Sequence, residues 1–246
     1  MTQSWVKPFY RKQFEWMNQE LDMNDAYNEL ASIVKEQVGR PFNKMLDIGA
    51  GRGDVAKKLA ESGVEMTTLE LVPELVTFAR EHSNGRVKSH CGDFYTFELT
   101  ETFDVVSYFD GFGIGSDEDQ LRLLNRIRDW MKEDGCALID IYQPRYWQQV
   151  DGQEMTVDDA RRVYRYDEHT HRMLDSWWHA DHPEEKVTQS LRCYSLDEIS
   201  DLCEQASLRI VGIFPGGGMD FEEWRYHECV ALYKCLSYRV KVKKIG

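Results

Sequence analysis

No stretch of the 246-residue chain approaches the roughly 18 uncharged apolar residues of a membrane-spanning helix. The first 20 residues also lack the apolar centre of a secretory leader, because Lys7, Arg11, Lys12 and Glu15 interrupt it. A cytoplasmic chain without a membrane partner is the expectation. None of the six cysteines (Cys91, Cys136, Cys193, Cys203, Cys229, Cys235) forms a C-x-x-C pair, which argues against a zinc ribbon or a dithiol redox site. Free thiols in a reducing compartment account for them, four lying in stretches that read as strands. Basic residues are scarce: 30 Lys and Arg stand against 43 Asp and Glu, for a net charge of −13. Such a surface repels a phosphate backbone, so nucleic acid is not the expected partner. The basic run Lys241, Lys243, Lys244 reads as a solvated, frayed terminus. There is no internal repeat, low-complexity tract or Pro/Gly/Ser linker, and the length suits one domain, working as a monomer or a homodimer.

What the chain does contain is a rhythm of strand-like and helix-like segments, the mark of a parallel α/β sheet. Strands are expected at 44–48, 66–70, 86–90, 103–109 and 137–142. Helices are expected from Asp54 to Ser62 and from Pro73 to about His82, with Pro73 in the first turn. Leu121, Leu124, Ile127 and Met131 form one face of a further helix. Ser195-Leu-Asp-Glu198 is a capping box opening another, faced by Leu196, Ile199, Leu202 and Ala206. Two final strands, 208–214 and 227–236, are expected as antiparallel neighbours across the turn Pro215-Gly-Gly-Gly218. Between Pro144 and Tyr194 the rhythm breaks into alternating segments (162–166, 173–179, 187–194) that read as an antiparallel cap over the sheet. The first 43 residues are helical in tone and rich in aromatics.

The sharpest local signal is Leu46-Asp-Ile-Gly49-Ala-Gly51-Arg-Gly53-Asp54, between an expected strand and an expected helix. Glycines there permit a tight turn and a close ligand approach. The third glycine follows the second by two residues rather than three, unlike a dinucleotide fingerprint. Asp47 precedes the loop, Glu70 ends the next strand where a carboxylate can accept both ribose hydroxyls, and Asp93 follows the third strand in Gly92-Asp93-Phe94.

These residues together resemble the class I S-adenosylmethionine-dependent methyltransferases, over roughly Lys44 to Tyr142 and more loosely Tyr194 to Leu236. Phe109-Asp-Gly-Phe-Gly113-Ile-Gly115 resembles the Ser-Phe-Gly-Tyr-Phe stretch of a small-molecule subgroup, with Asp110-Gly111 in place of serine. The resemblance implies a Rossmann-like seven-stranded sheet with the last strand antiparallel, plus the antiparallel β cap and N-terminal helices. It divides a single domain into a helical lid (1–43), a cofactor-binding core (44–143 and 195–246) and a cap insertion (144–194). It implies S-adenosylmethionine as cofactor, held by Asp47, Gly49, Ala50, Gly51, Glu70, Leu71, Gly92, Asp93, Phe94 and Asp110.

Methyl transfer from a sulfonium is mostly a matter of positioning and water exclusion, so an obvious catalytic constellation is neither needed nor present. His179 and Tyr142 are the leading candidate bases, being expected where cap and sheet meet. Tyr10, Phe14, Phe112 and Trp177 are candidate substrate contacts, and one of Arg161, Arg162, Arg165, Arg172 and Arg192 suits a substrate carboxylate. His169-x-His171 and His179-x-x-His182 lack metal-site spacing, so no metal is expected. Methyl transfer to a small-molecule N or O acceptor leads. Intramolecular cyclisation releasing methylthioadenosine and protein modification stay open.

Overall fold

The computed structural model describes residues 3–16, 24–157, 159–223 and 225–246. The chain runs α1 (Val6–Trp16), α2 (Asn24–Val38), β1 (Lys44–Ile48), α3 (Asp54–Glu61), β2 (Glu65–Glu70), α4 (Pro73–His82), β3 (Val87–Cys91), β4 (Phe103–Tyr108), α5 (Asp117–Trp130) and β5 (Met131–Tyr142). Then follow α6 (Pro144–Gln149), β6 (Glu154–Val157), β7 (Ala160–Asp167), β8 (Arg172–His179), β9 (His182–Arg192), α7 (Leu196–Gln205), β10 (Leu208–Pro215), β11 (Gly218–Asp220), β12 (Arg225–His227) and β13 (Ser237–Lys244).

Seven strands form one sheet in the order β10-β13-β5-β4-β1-β2-β3. β1 pairs in parallel with both β2 and β4, while β13 is antiparallel to β5 and β10. Strands buried on both faces read as apolar runs rather than alternations, which is why β4 is buried throughout. Alternate residues supply two cores. Leu46, Val106 and Ile139 meet α5 and α7 through Leu123, Ile127, Ile199 and Leu202. Met45, Val105 and Leu138 meet α2 and α3 through Val34, Val38, Ala56 and Leu59. Capping boxes start α5 (Ser116 with Asp119) and α7 (Ser195 with Glu198). Both satisfy amide donors that a helix start leaves free.

The antiparallel cap is a four-stranded sheet, β6-β7-β8-β9, one strand larger than expected and preceded by the short helix α6. It grips the loop after β4: Arg192 N donates to Gly113 O at 3.0 Å, and Arg172 reaches Gly113 O (3.0 Å) and Gly115 O (2.8 Å).

The end of the chain corrects the expectation. The last strand is Ser237–Lys244, not residues 227–236, and the supposed frayed lysines lie in it. Val240 and Val242 are fully buried, whereas Lys241 turns away and donates to Val38 O at 2.7 Å. The lysines disguise a period-2 alternation that is half apolar. Residues 228–236 lack that alternation and form a coil, from which Val230 and Leu232 pack on the core. The glycine turn leads instead into the small hairpin β11–β12.

Candidate active site

The strand order reverses at β1, whose neighbours β2 and β4 continue in opposite directions, and open α/β sheets bind ligands at the carboxyl ends of strands at such a point. A cavity of about 500 Å³ lies there, within the range of small-molecule sites.

Its floor is the loop after β1. Gly49 sits at φ +64°, and a Cβ there would fall 2.9 Å from the Tyr108 ring. Gly51, at φ +55°, has no atom within 4 Å of where a Cβ would stand, so the backbone presents an open face to the cavity. Left-handed backbone plus an uncrowded approach is what glycine supplies. The Gly51 amide donates to Glu70 Oε2 and the Val72 amide to Glu70 Oε1, each at 2.9 Å. Two loops therefore fix one carboxylate on the wall. Burial raises the Glu70 pKa and those amides partly offset it.

Asp47 is 4% exposed and accepts from Ser107 Oγ at 2.6 Å; burial lifts its carboxyl to about 7. Asp93 opens a turn in which its Oδ1 accepts from the Tyr95 amide at 2.8 Å. Asp110 follows β4 at φ +54°, a conformation Asp tolerates better than most side chains. The Tyr142 hydroxyl donates to its Oδ1. Surrounding protein raises the Asp110 carboxyl to about 6, although its surface is open to the cavity. The fourth wall is α1. Val6, Tyr10, Gln13 and Phe14 fall on one helical face and all line the cavity. The Tyr10 hydroxyl is held well above its ordinary pKa by burial, then by the charges of Asp110, Glu70 and Asp175.

Of the expected site residues, Asp47, Gly49, Ala50, Gly51, Glu70, Leu71, Asp93, Phe94, Asp110, Tyr10 and Phe14 all line this cavity. Five do not. Gly92 stands one residue behind the wall, donating to Glu70 O at 2.8 Å. Tyr142 lies behind Asp110 and acts on it by hydrogen bond. Phe112 is fully buried between Tyr108 and Tyr194, because an apolar ring at this turn fills the core. Trp177 is 2% exposed, packs with Phe9, and donates to Asp175, which lies on the same face of β8. His179 ends β8 beside His182, with its Nδ1 accepting the Asp181 amide, so it serves the cap turn rather than the cavity.

The cap arginines are likewise engaged elsewhere. Arg162 clamps Asp175 through two bonds of 2.8 and 2.7 Å, between the rings of Tyr164 and Trp177. Arg192 pairs with Glu198, and Arg161 donates to Thr156 Oγ1. Sequence reasoning missed Val6, Gln13, Tyr27 and Leu30 as lining residues, though the i, i+4, i+7, i+8 phase from Val6 to Phe14 was a readable signal. It also missed Arg52, which pairs with Asp54 at 3.2 Å and stacks on Phe78.

The sheet order, the antiparallel last strand and the glycine loop with its following acids define the class I S-adenosylmethionine-dependent methyltransferase fold. Within that fold, residues 45–135 match the family model of a methyltransferase domain. A putative methyltransferase of Geobacillus sp. (strain WCH70) is 29% identical over 126 residues, 48% of this chain and 50% of that protein. The cypemycin N-terminal methyltransferase of Streptomyces sp. is 28% identical over 152 residues, 56% of this chain and 60% of that protein. The chain thus spans about half to three-fifths of these curated relatives. Among solved structures, an S-adenosylmethionine-dependent methyltransferase from Clostridium acetobutylicum ATCC 824 matches with TM-score 0.71 at 15% identity, covering 98% of this chain and 99% of that one. An amino pentose methyltransferase from Micromonospora echinaspora, solved with S-adenosylmethionine bound, matches with TM-score 0.61 at 15% identity over 95% and 96% of the two chains. At such identities these structures share the fold.

Proposed function

We propose that this chain binds S-adenosylmethionine in the cavity at the end of β1 and catalyses transfer of its methyl group to a nitrogen or oxygen of a small molecule. The observation that carries the reading is Glu70: a carboxylate nine-tenths buried, fixed by the Gly51 and Val72 amides, on the wall of a cavity floored by open glycine backbone. Each oxygen keeps acceptor capacity for a vicinal diol.

The other walls suit the remaining parts of the cofactor. Asp47, buried and raised to about 7, gains from a cation placed beside it, as an amino-acid ammonium would be. Asp93 and Phe94 offer a polar edge and a ring face at the far side of Glu70, fitting an adenine. When bound, S-adenosylmethionine supplies an electrophilic methyl on a sulfonium, open to in-line displacement.

The chain's own contribution is to bind, orient and exclude water. Tyr10 and Phe14 from α1 close the side opposite the glycine loop, in keeping with residues 1–43 as a helical lid. Part of that lid, residues 1–2 and 17–23, lies outside the described residues. Residues 44–143 and 195–246 act as the core, and 144–194 as the cap that buttresses the 113–115 loop. No described helix is long and apolar enough to cross a membrane. Four buried free thiols, Cys136, Cys193, Cys203 and Cys235, fit a reducing cytoplasm.

Calorimetric titration with S-adenosylmethionine and S-adenosylhomocysteine, with NAD as control, tests the reading. Micromolar binding of the first two, weakened at least tenfold in Glu70→Ala, is expected. Absence of binding, or preference for NAD, refutes it.

A further inference from the structure

The cavity is far more acidic than a cofactor bearing one net positive charge requires. Asp47, Asp54, Glu70, Asp93 and Asp110 line it, and Arg52 is the one basic side chain among the described lining residues. Arg52 is already matched by Asp54 at 3.2 Å, with its guanidinium carbon 4.4 Å from the centre of the Phe78 ring. With Asp47, Glu70 and Asp93 facing the parts of the cofactor assigned above, Asp110 is left over.

Asp110 is not a neutralised structural acid. Its neighbours are the Tyr142 hydroxyl on β5, which donates to Oδ1, the Tyr10 phenol on α1, Asp140 on β5, and Arg162 with Asp175 on the cap. Arg162 is the only cation among them, and its guanidinium is committed to Asp175 by two bonds. Tyr142 is a neutral donor, its hydroxyl held protonated by burial. Asp110 is therefore a carboxylate with Oδ1 anchored by Tyr142, lining a cavity flanked by the aromatic side chains of Tyr10, Phe14, Phe94 and Tyr108. Aromatic faces with one carboxylate form a cation site. Among the described lining residues, no guanidinium or ammonium without a carboxylate partner would greet an acidic acceptor.

We propose that the acceptor is an amine that enters as an ammonium ion, and that Asp110, positioned by Tyr142, is the carboxylate that receives it and takes the N–H proton the nitrogen must lose before its lone pair can accept a methyl group. This rests on the methyltransferase reading above and narrows its acceptor from nitrogen or oxygen to nitrogen. The raised Asp110 pKa fits, because a cation beside it restores the ionised form that the surrounding protein disfavours.

The test uses the full chain saturated with S-adenosylhomocysteine and two probes of one shape, benzylammonium and benzyl alcohol, titrated by calorimetry near neutral pH. Benzylammonium is expected to bind roughly tenfold or more tightly than the alcohol, the usual advantage of a charge-assisted hydrogen bond. Asp110→Asn should weaken benzylammonium by roughly 10- to 100-fold and leave the alcohol within about threefold, erasing the preference. Asn suits the left-handed backbone at this position, so the turn is kept. Tyr142→Phe should give an intermediate loss for the ammonium alone, which a merely structural role for Tyr142 would not. Equal binding of the two probes, no binding of either, or an unchanged preference in Asp110→Asn overturns the proposal. The wild-type probe pair decides even if the variant fails to fold. Failure of S-adenosylhomocysteine itself to bind is seen before any amine is added, and it overturns the methyltransferase reading instead.

Discussion

Asp47 is the residue at which folding and ligand binding conflict most directly. It is 4% exposed, the Ser107 hydroxyl donates to it, and burial lifts its carboxyl from the ordinary 3.8 to about 7. An acid raised in the fold stabilises the native state fully at pH below its unfolded value, and that contribution is lost as pH rises through the folded value. The window here runs from about pH 4 to pH 7. The gap from 3.8 to about 7 is about three pH units, and at ~1.36 kcal/mol per unit it corresponds to about 4 kcal/mol of lost stability above pH 7. Asp47→Asn keeps an oxygen for Ser107 and removes the charge. Relative to wild type, the ligand-free variant should gain stability on going from about pH 4.5 to about pH 7.5, by about 3 kcal/mol at most and about 1 kcal/mol if cavity water solvates the carboxylate. Urea unfolding of both proteins at the two pH values measures this. The same variant should gain less from added S-adenosylmethionine, because the ammonium loses its counter-charge. A stability difference that does not change with pH would refute the reasoning, since Asp47 would then be ionised in the fold at no cost.

Two further substitutions probe the frame around the cavity. Gly113→Ala should destabilise the protein by about 3 kcal/mol or more in urea unfolding, because Gly113 sits at φ +112° and a Cβ would fall 2.7 Å from Arg192 N. Val242→Ala should cost about 2 kcal/mol and Lys243→Ala under about 1 kcal/mol by the same measurement; equal, negligible effects would mean that the C-terminal segment is not a packed strand.

The glycine-loop side of the cavity was legible because its signals are local. Asp47, the glycine loop and Glu70 lie within one strand-loop-helix-strand unit, where spacing along the chain already fixes position in space. The hydroxyl that anchors Asp110 was not readable in the same way. Tyr142 is on a neighbouring strand, 32 residues away, and only the parallel register of β4 on β5 brings the two together. For the same reason Trp177 and Arg162 passed as ligand contacts: alternation along β7 and β8 separates two faces of a sheet without telling which meets the cavity. The Arg162–Asp175 clamp, set by the β7–β8 register, consumes both. β13 escaped detection because half of its residues are basic (Arg239, Lys241, Lys243 and Lys244), and charge masked the buried Val240 and Val242.

The division between matched and unmatched segments bears on what each can decide. The family match covers residues 45–135, which include Asp47, Glu70, Asp93 and Asp110 but none of α1, the cap or Tyr142. Yet α1 joins the two halves. Lys12 pairs with Glu185 of the cap at 2.6 Å, Arg11 with Glu74 of α4 at 2.8 Å, and Phe14 packs edge-on against Phe78 at 5.7 Å. Its other face seals the cavity with Tyr10, whose hydroxyl feels both Asp110 and Glu70. Surface ion pairs of this kind contribute little energy each, so the helix is held mainly by Val6 and Phe9, which are almost fully buried. A wall attached by two apolar anchors can change its sequence without disturbing the sheet beneath it. On the amine-acceptor proposal, acceptor choice falls to α1, Asp110 and its Tyr142 anchor, and grafting a relative's residues onto α1 should alter which amines bind in calorimetric titration while leaving S-adenosylhomocysteine binding on the Glu70 side unchanged.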